Sequence, residues 1–174
     1  MKKEKCIIKW RQMTSLAKVP TKAPDAAGFD IYTTEDYVFM PPHSQHLFKT
    51  GLAYVIEGPY WLMAFDRGST GSKGLHVHCG VCDKDYMGEI FICLNNDNPY
   101  PVIITKGVSE VFMEPINKEG FQGPAMFYPA SKAIAQLIPI KMPEVKIMPI
   151  GVAEWDIAWE KSHRKDGKLG SSGK

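Results

Sequence analysis

Long apolar runs are absent from this sequence of 174 residues. No stretch approaches the ~18–20 apolar residues that span a bilayer, so the sequence predicts no membrane helix and no membrane partner. The basic start, MKKEKCIIKWRQ, is not followed by the apolar core of a secretory signal. We therefore expect a cytoplasmic protein, or one in the host-cell cytoplasm if a virus encodes it.

Cysteine is scarce, and the 4 present do not predict a disulfide framework in a chain of this length. His76, His78, Cys79 and Cys82 lie close together and are residue types that bind zinc. A strand places residues 76 and 78 on one face and residues 77 and 79 on the other. We therefore interpret the cluster as half-buried strand residues rather than as a zinc site.

The excess of positive over negative residues is also small, with a net charge of +2. Direct nucleic-acid binding is therefore not expected. Residues 161–174 are an exception, because they carry five Lys and Arg against one Asp among several Gly and Ser. This composition predicts a flexible basic C-terminal arm over 161–174 that follows a single domain over 1–160. The arm either frays in solvent or meets an anion.

The 13 prolines and 15 glycines divide the chain into pieces that suit strands better than helices. Many short strands with turns between them predict an all-β fold, a distorted jelly roll or β-clip-like barrel. The region 115–129, rich in Gly and Pro, predicts a loop insertion, and 152–166 fits either a helix or a strand. The predicted strands are 6–9, 29–33, 37–39, 46–54, 60–64, 75–79, 89–95, 102–104, 108–114, 134–140 and 145–149.

Three segments carry residue types suited to chemistry on an anion. FDRGSTGSKG (65–74) offers backbone N–H groups, hydroxyls and two cations to an oxyanion, although its spacing does not match a Walker A loop. GVCDKDYMGEI (80–90) places acids and an aromatic ring at a turn, where an aspartate can deprotonate a water. RKDGKLGSSG (164–173) has the composition of a phosphate-wrapping flap. Each segment alone also fits an ordinary polar loop.

Taken together and in order, these segments resemble the five motifs of the dUTP pyrophosphatase (dUTPase) family of trimeric all-β enzymes, over about residues 24–173. AAGFDIY (26–32) is similar to the first motif, DRGSTGSK (66–73) to the second and GVCDKDYMGEI to the third. AIAQLIPI (133–140) is similar to the fourth and RKDGKLGSSG to the fifth. The chain resembles a diverged member, of a virus or phage type.

The resemblance implies a homotrimer with shared sites that uses Mg²⁺ to hydrolyse dUTP to dUMP and pyrophosphate, which limits uracil in DNA and supplies dUMP for thymidylate synthesis. It implies that Asp83 is the general base, that Tyr86 packs under the deoxyribose, and that Asp30 holds Mg²⁺ through water. The hairpin over 77–81 would recognise uracil. The other implied substrate-binding residues are Arg67, Gly68, Ser69, Val77, Gly80, Val81, Gln136, Arg164, Leu169, Gly170 and Ser171.

The chain departs from the family pattern in three motifs, and in the fifth the arm's usual phenylalanine is Leu169. The family's Arg-Ser-Gly is Arg67-Gly68-Ser69 here, and its Gly-Asp-Arg is Ser131-Lys132-Ala133. Two alternatives stay open on the sequence alone. One is a dCTP deaminase or bifunctional dCTP/dUTP enzyme that uses Glu89; the other is a dUTPase-like regulatory protein that binds a protein partner through 115–129.

Overall fold

A computed structural model describes residues 5–163 and residue 165. Thirteen strands and two helices lie in this part of the chain. Contacts divide the chain into two compact units, Met1–Met142 and Pro143–Lys174. This division falls earlier than the boundary after residue 160 that composition predicts, and the predicted arm residues Arg164, Leu169, Gly170 and Ser171 lie outside the described residues.

The first unit contains all thirteen strands and one short helix, which confirms the all-β prediction. In chain order, its elements are β1 (Ile7–Gln12), β2 (Phe29–Ile31), β3 (Tyr37–Met40), β4 (Ser44–Lys49), β5 (Leu52–Glu57), β6 (Tyr60–Phe65), α1 (Gly68–Gly71), β7 (Leu75–His78), β8 (Val81–Cys82), β9 (Phe91–Asn96), β10 (Val102–Thr105), β11 (Phe112–Lys118), β12 (Phe121–Pro129) and β13 (Ala135–Lys141).

The strands form four open sheets, and the described residues do not close a barrel. Their orders are β1-β5, β11-β12-β10-β3, β2-β13-β6-β8 and β4-β9-β7. Alternating apolar residues from these sheets share one core, as a period of two predicts for strands with one buried face. The largest fully buried side chains include Tyr54, Tyr128, Phe48, Ile31, Met40, Leu52, Leu62 and Leu75.

The sheet β2-β13-β6-β8, here called the site sheet, positions most of the predicted functional residues. Asp30 on β2 pairs with Gln136 on β13, and Gln136 pairs with Phe65 at the end of β6. Arg67 follows two residues after Phe65, and Asp83 follows directly after β8. Residues from motifs that are far apart in the chain therefore meet along one sheet.

The predicted loop insertion over 115–129 is wrong. This region belongs to an antiparallel hairpin of β11 and β12, in which Pro115 lies opposite Pro124. Glu119 and Gly120 both have positive φ and form the turn. β12 also pairs in parallel with β10 and buries Ala125, so these prolines and glycines belong to a sheet that contributes to the core.

Three predicted strands also differ from the structure. The predicted strand 108–114 begins only at Phe112 and continues to Lys118 as β11. The predicted strand 46–54 is two strands, β4 and β5, because Gly51 with φ 66° turns the chain between them. The predicted strand 145–149 is wrong, since these residues pair with no strand of the described chain and are all exposed.

In the second unit, α2 (Val152–Lys161) resolves the open choice over 152–166 as a helix, and none of its residues is buried. No described helix is long and apolar enough to cross a membrane.

Asn96 on β9 is fully buried and bonds two segments, the end of β3 and the loop between β9 and β10. Its amide nitrogen donates to the carbonyls of Met40, Pro41 and Tyr100, at 3.3, 2.8 and 3.0 Å. Its amide oxygen accepts from the backbone N–H of Asn98 at 3.1 Å. Asn96 therefore joins the end of β3 and the loop between β9 and β10 through a fully buried side chain.

We expect Asn96→Ala to lower the free energy of unfolding by about 2–3 kcal/mol, because a fully buried amide loses its hydrogen bonds to four backbone groups. Thermal and urea unfolding measure this change. Asn95→Ala, at a partly exposed neighbour on the same strand, is the matched control and should cost about 0.5 kcal/mol or less. Equal effects of the two substitutions would contradict the assigned role.

Candidate active site

An open hollow of about 410 Å³, here called the arginine hollow, lies beside the β2 and β13 side of the site sheet. It brings together residues from the first, second and fourth motifs. Its lining residues are Asp30, Tyr32, Arg67, Ser69, Ser131, Lys132 and Ala133. The predicted metal-side and phosphate-side residues are therefore neighbours in the folded chain.

Arg67 is held in this hollow by a bidentate ion pair with Asp30. Its Nε and Nη2 donate to the two carboxylate oxygens of Asp30 at 2.8 and 3.0 Å. Its Nη1 donates to the hydroxyl of Ser69 at 2.9 Å. The planar guanidinium fits a carboxylate in this way, so the arginine is oriented before any ligand binds.

The backbone around Arg67 is fixed by the one-turn helix α1. Thr70 is fully buried, and its hydroxyl accepts from the backbone N–H of Arg67 at 3.1 Å. Gly68 and Ser69 are exposed on the same turn. The displaced serine of this motif therefore still faces the arginine, because α1 turns its side chain back toward Nη1.

Asp66 is a functional residue that the sequence interpretation missed. Its carboxylate accepts from the backbone N–H of Val77 at 2.5 Å and lies 2.8 Å from Nδ1 of His76. Its carbonyl accepts from the side-chain amide of Gln136 at 2.7 Å. Asp66 thus joins the arginine segment, β7 and β13, and the only sequence signal for it was its place directly before Arg67.

The hairpin predicted over 77–81 is wrong, because β7 pairs with β9 and β8 pairs with β6, so the two strands belong to different sheets. The turn between β7 and β8 lines a second open hollow of about 550 Å³, here called the turn hollow. Cys79 has φ 55°, which turns the chain sharply between the two strands. Gly80 lies so close to β6 that a Cβ there would be 2.5 Å from the carbonyl oxygen of Ala64. This hollow includes the predicted uracil-side residues Val77 and Gly80, together with Gln136.

Asp83 and Tyr86 line a third hollow of about 300 Å³, which also includes Val81. Both side chains are exposed, and the Tyr86 hydroxyl donates to the carbonyl of Glu89 at 2.9 Å. The carbonyl of Asp83 accepts from the Tyr54 hydroxyl at 2.6 Å and from the backbone N–H of Tyr86 at 3.1 Å. The backbone of Asp83 is therefore fixed while its carboxylate stays open to solvent.

Tyr54 supports this turn as a neutral phenol. Burial raises its pKa first, and the nearby groups Cys82, Asp83 and Asp85 raise it further. The phenol therefore keeps its proton and donates it to the Asp83 carbonyl throughout the physiological pH range. The sequence interpretation missed Tyr54 because it lies on β5, far from every motif.

The structure places the predicted residues in three hollows rather than in one. The arginine hollow shares no lining residue with the hollow that Asp83 lines. Cys79 is common to the hollow that Asp83 lines and the turn hollow. Within one chain, Asp83 therefore does not share a hollow with Arg67.

The described residues contain no group of three or more His, Cys, Asp or Glu that could hold a metal ion. The prediction of half-buried strand residues is wrong for His78, which is exposed, and for Cys79, which is exposed and lies in the turn after β7 with φ 55°. A water-mediated Mg²⁺ still fits Asp30, because each carboxylate oxygen has further lone pairs beyond its bond to Arg67. Mg²⁺ commonly keeps several waters and takes one or two carboxylates plus phosphate oxygens.

Comparison with known proteins places this geometry in context. The sequence profile of the dUTPase family matches residues 15–114. The deoxyuridine 5'-triphosphate nucleotidohydrolase of Saccharomyces cerevisiae is 32% identical over 114 residues, which covers 63% of this chain and 77% of that enzyme. The Variola virus enzyme of the same name is 32% identical over 101 residues, which covers 58% of this chain and 68% of that enzyme.

A solved structure of the Staphylococcus bacteriophage 80alpha dUTPase with dUpNHpp has the same fold. Its TM-score is 0.67 at 23% identity, and the match covers 95% of this chain and 98% of that one. A mutant of a dUTPase from phage phi11 of S. aureus, described with a structural Mg(II) ion, gives a TM-score of 0.64 at 20% identity. This match covers 83% of the present chain and 96% of the phage chain. At these identities the likeness establishes the fold.

Proposed function

The chain belongs to the dUTPase family, and we propose that it hydrolyses dUTP to dUMP and pyrophosphate. The observation that carries the proposal is the third-motif turn, which exposes the Asp83 carboxylate beside Tyr86 at an open hollow. The turn's backbone is held by Tyr54, which keeps Asp83 at this hollow, while its carboxylate is free to accept a proton from water.

In this proposal, Asp83 accepts a proton from the water that attacks the α-phosphorus, and pyrophosphate leaves. Tyr86 offers its ring to the deoxyribose. Val77, Gly80 and Val81 present the backbone on either side of the turn between β7 and β8 to uracil, where a bulkier residue at position 80 could not approach β6. Arg164, Leu169, Gly170 and Ser171 lie outside the described residues and stay predicted substrate-binding residues, Arg164 at the γ-phosphate and Leu169 over the uracil ring.

Arg67 and Ser69 would bind phosphate oxygens from the arginine hollow, with Gly68 leaving room for them. Gln136 would contribute from the phosphate side while its amide bond to Asp66 keeps it in place. When bound, Mg²⁺ would neutralise charge on the triphosphate. Asp30 is the residue that would hold it, through water.

We propose a homotrimer with shared sites as the assembly. The separation of Asp83 from the arginine hollow within one chain supports it, because a shared site would bring one chain's Asp83 to another chain's arginine hollow. Size-exclusion chromatography with light scattering tests this assembly. A monomer that hydrolyses dUTP would contradict it.

The rival deaminase chemistry is less well supported by the geometry of Glu89. Its carboxylate accepts from the backbone N–H of Gly51 at 2.8 Å and so holds the turn between β4 and β5. A regulatory protein would keep the same nucleotide site and would differ in lacking turnover. One set of assays therefore separates the three functions.

The experiment measures pyrophosphate release from dUTP, dCTP, dTTP and UTP with Mg²⁺, and ammonia release from dCTP. We expect pyrophosphate from dUTP well above the other three nucleotides, and no ammonia. Ammonia from dCTP would identify the deaminase, and tight dUTP binding without pyrophosphate release would identify a regulatory protein. Either result would overturn the proposal.

A further inference from the structure

The arginine hollow contains one cation whose charge is unmatched by the described residues. Arg67 carries one positive charge, but its ion pair with Asp30 balances it. Lys132 lines the same hollow, is exposed, and forms no ion pair or side-chain hydrogen bond with the described part of the chain. Without Lys132, the charged residues that line this hollow would sum to zero.

The nearby Lys18 does not serve the same purpose. Its ammonium lies 4.6 Å from the centre of the Tyr32 ring and donates to the carbonyl of Ser131 at 3.5 Å. These contacts hold it at the edge of the hollow, and it is not among the lining residues. Lys132 is thus the lysine whose ammonium is available to a ligand in the hollow.

The turn that carries Lys132 is anchored on both sides. The backbone N–H of Lys132 donates to the carbonyl of Pro129 at 3.0 Å. Ala130 and Ala133 on either side are buried, and the N–H of Ala130 donates to Thr105 at 2.8 Å. The carbonyl of Ala133 accepts from Nη1 of Arg67 at 3.4 Å, so the turn is also joined to the arginine.

A rigid turn that presents a free ammonium beside a neutralised arginine suits a polyanion. A triphosphate carries several negative charges, and an arginine paired with a carboxylate offers it hydrogen bonds but little net charge. An ammonium adds a point charge with three donors on a flexible stem, which reaches phosphate oxygens without needing a fixed geometry. From these observations, and resting on the proposed function, we propose that Lys132 is a substrate-binding residue that supplies the net positive charge for the triphosphate.

The test compares Lys132→Ala with the parent chain in two measurements. One is the dissociation constant for inorganic triphosphate, and the other is KM and kcat for dUTP at several salt concentrations. We expect Lys132→Ala to weaken triphosphate binding and raise KM by about 10-fold each, since a lost charge-assisted contact has this size. The salt dependence of KM should become shallower, while deoxyuridine, which has no phosphate, should bind equally to both chains.

Two further variants serve as controls. Lys132→Arg keeps the charge and should restore triphosphate binding to near the parent value. Lys118→Ala removes one exposed lysine from β11, outside the arginine hollow, and should leave both constants unchanged. Equal triphosphate binding by the parent and by Lys132→Ala would overturn the inference. If triphosphate binding depends on Lys132 but the parent releases no pyrophosphate from dUTP, this inference stands and the proposed function fails.

Discussion

Asp83→Asn is expected to lower the rate of dUTP hydrolysis by about 10²–10⁴-fold, the usual contribution of a general base. The amide has the same shape as the carboxylate but cannot accept a proton from water. Both contacts that fix this turn, from Tyr54 and Tyr86, use the Asp83 carbonyl and not its side chain. The substitution should therefore preserve the fold and nucleotide binding, and it should reduce kcat far more than it changes KM.

Steady-state pyrophosphate release measures the rate, and calorimetry with a non-hydrolysable imido analogue of dUTP measures binding. Asp85→Asn is the matched control, because it removes a second exposed carboxylate from the same turn. We expect its rate to stay within about 2-fold of the parent, since an exposed charge away from the reacting atoms has a small effect. A parent-like rate in Asp83→Asn, or equal losses in both variants, would contradict the role of Asp83.

Gly80→Ala is expected to have the second large effect, and on both stability and activity. Its Cβ would meet the carbonyl oxygen of Ala64 at 2.5 Å, and that oxygen belongs to the backbone of β6. The N–H of Ala64 also donates to the carbonyl of Gly80 at 2.7 Å, so neither strand can move without losing this bond. We expect the free energy of unfolding to fall by about 1–3 kcal/mol, as for other overpacked sites.

The same strain would displace β8 and the turn that begins at Asp83, so turnover of dUTP should fall even at temperatures where the variant is folded. Unfolding in urea and pyrophosphate release at low temperature measure the two effects separately. Gly107→Ala is the control, because its nearest neighbour, the Thr105 hydroxyl, is at an ordinary contact distance of 3.5 Å. If Gly80→Ala is as stable and active as Gly107→Ala, the close approach to β6 has no consequence.

The sequence predicted the strands whose apolar alternation matches a half-buried sheet. It failed where the presence or absence of a pairing strand determines whether a segment forms a strand. Val and Ile within 145–149 suggest a strand, but the described structure supplies no neighbouring strand to bond them. Pro115 and Pro124 suggest a loop, yet they face each other across a hairpin that Gly120 closes. Intrinsic strand preference depends on one segment alone, whereas a sheet forms only when a second segment pairs with it.

The residues of the candidate site were predicted one at a time from their motifs, but their arrangement was not. Asp83, Tyr86 and Arg67 follow from their motifs and line hollows as expected. The ion pair of Arg67 with Asp30 joins residues 37 positions apart, and no local sequence pattern predicts it. Asp66 and Tyr54 were missed for the same reason, because their function is to hold other residues and their partners are distant in sequence.

The pairing of β2 with β13 affects how the newly made chain acquires its site. Phe29–Ile31 emerges early during translation, but its partner strand begins at Ala135, 104 residues after Ile31. At a synthesis rate of about 5–20 residues per second, the early strand waits roughly 5–20 s for its neighbour. Asp30 and Gln136 therefore come into register only when most of the polypeptide has been synthesised, and ribosome-bound fragments shorter than this should lack a formed nucleotide site.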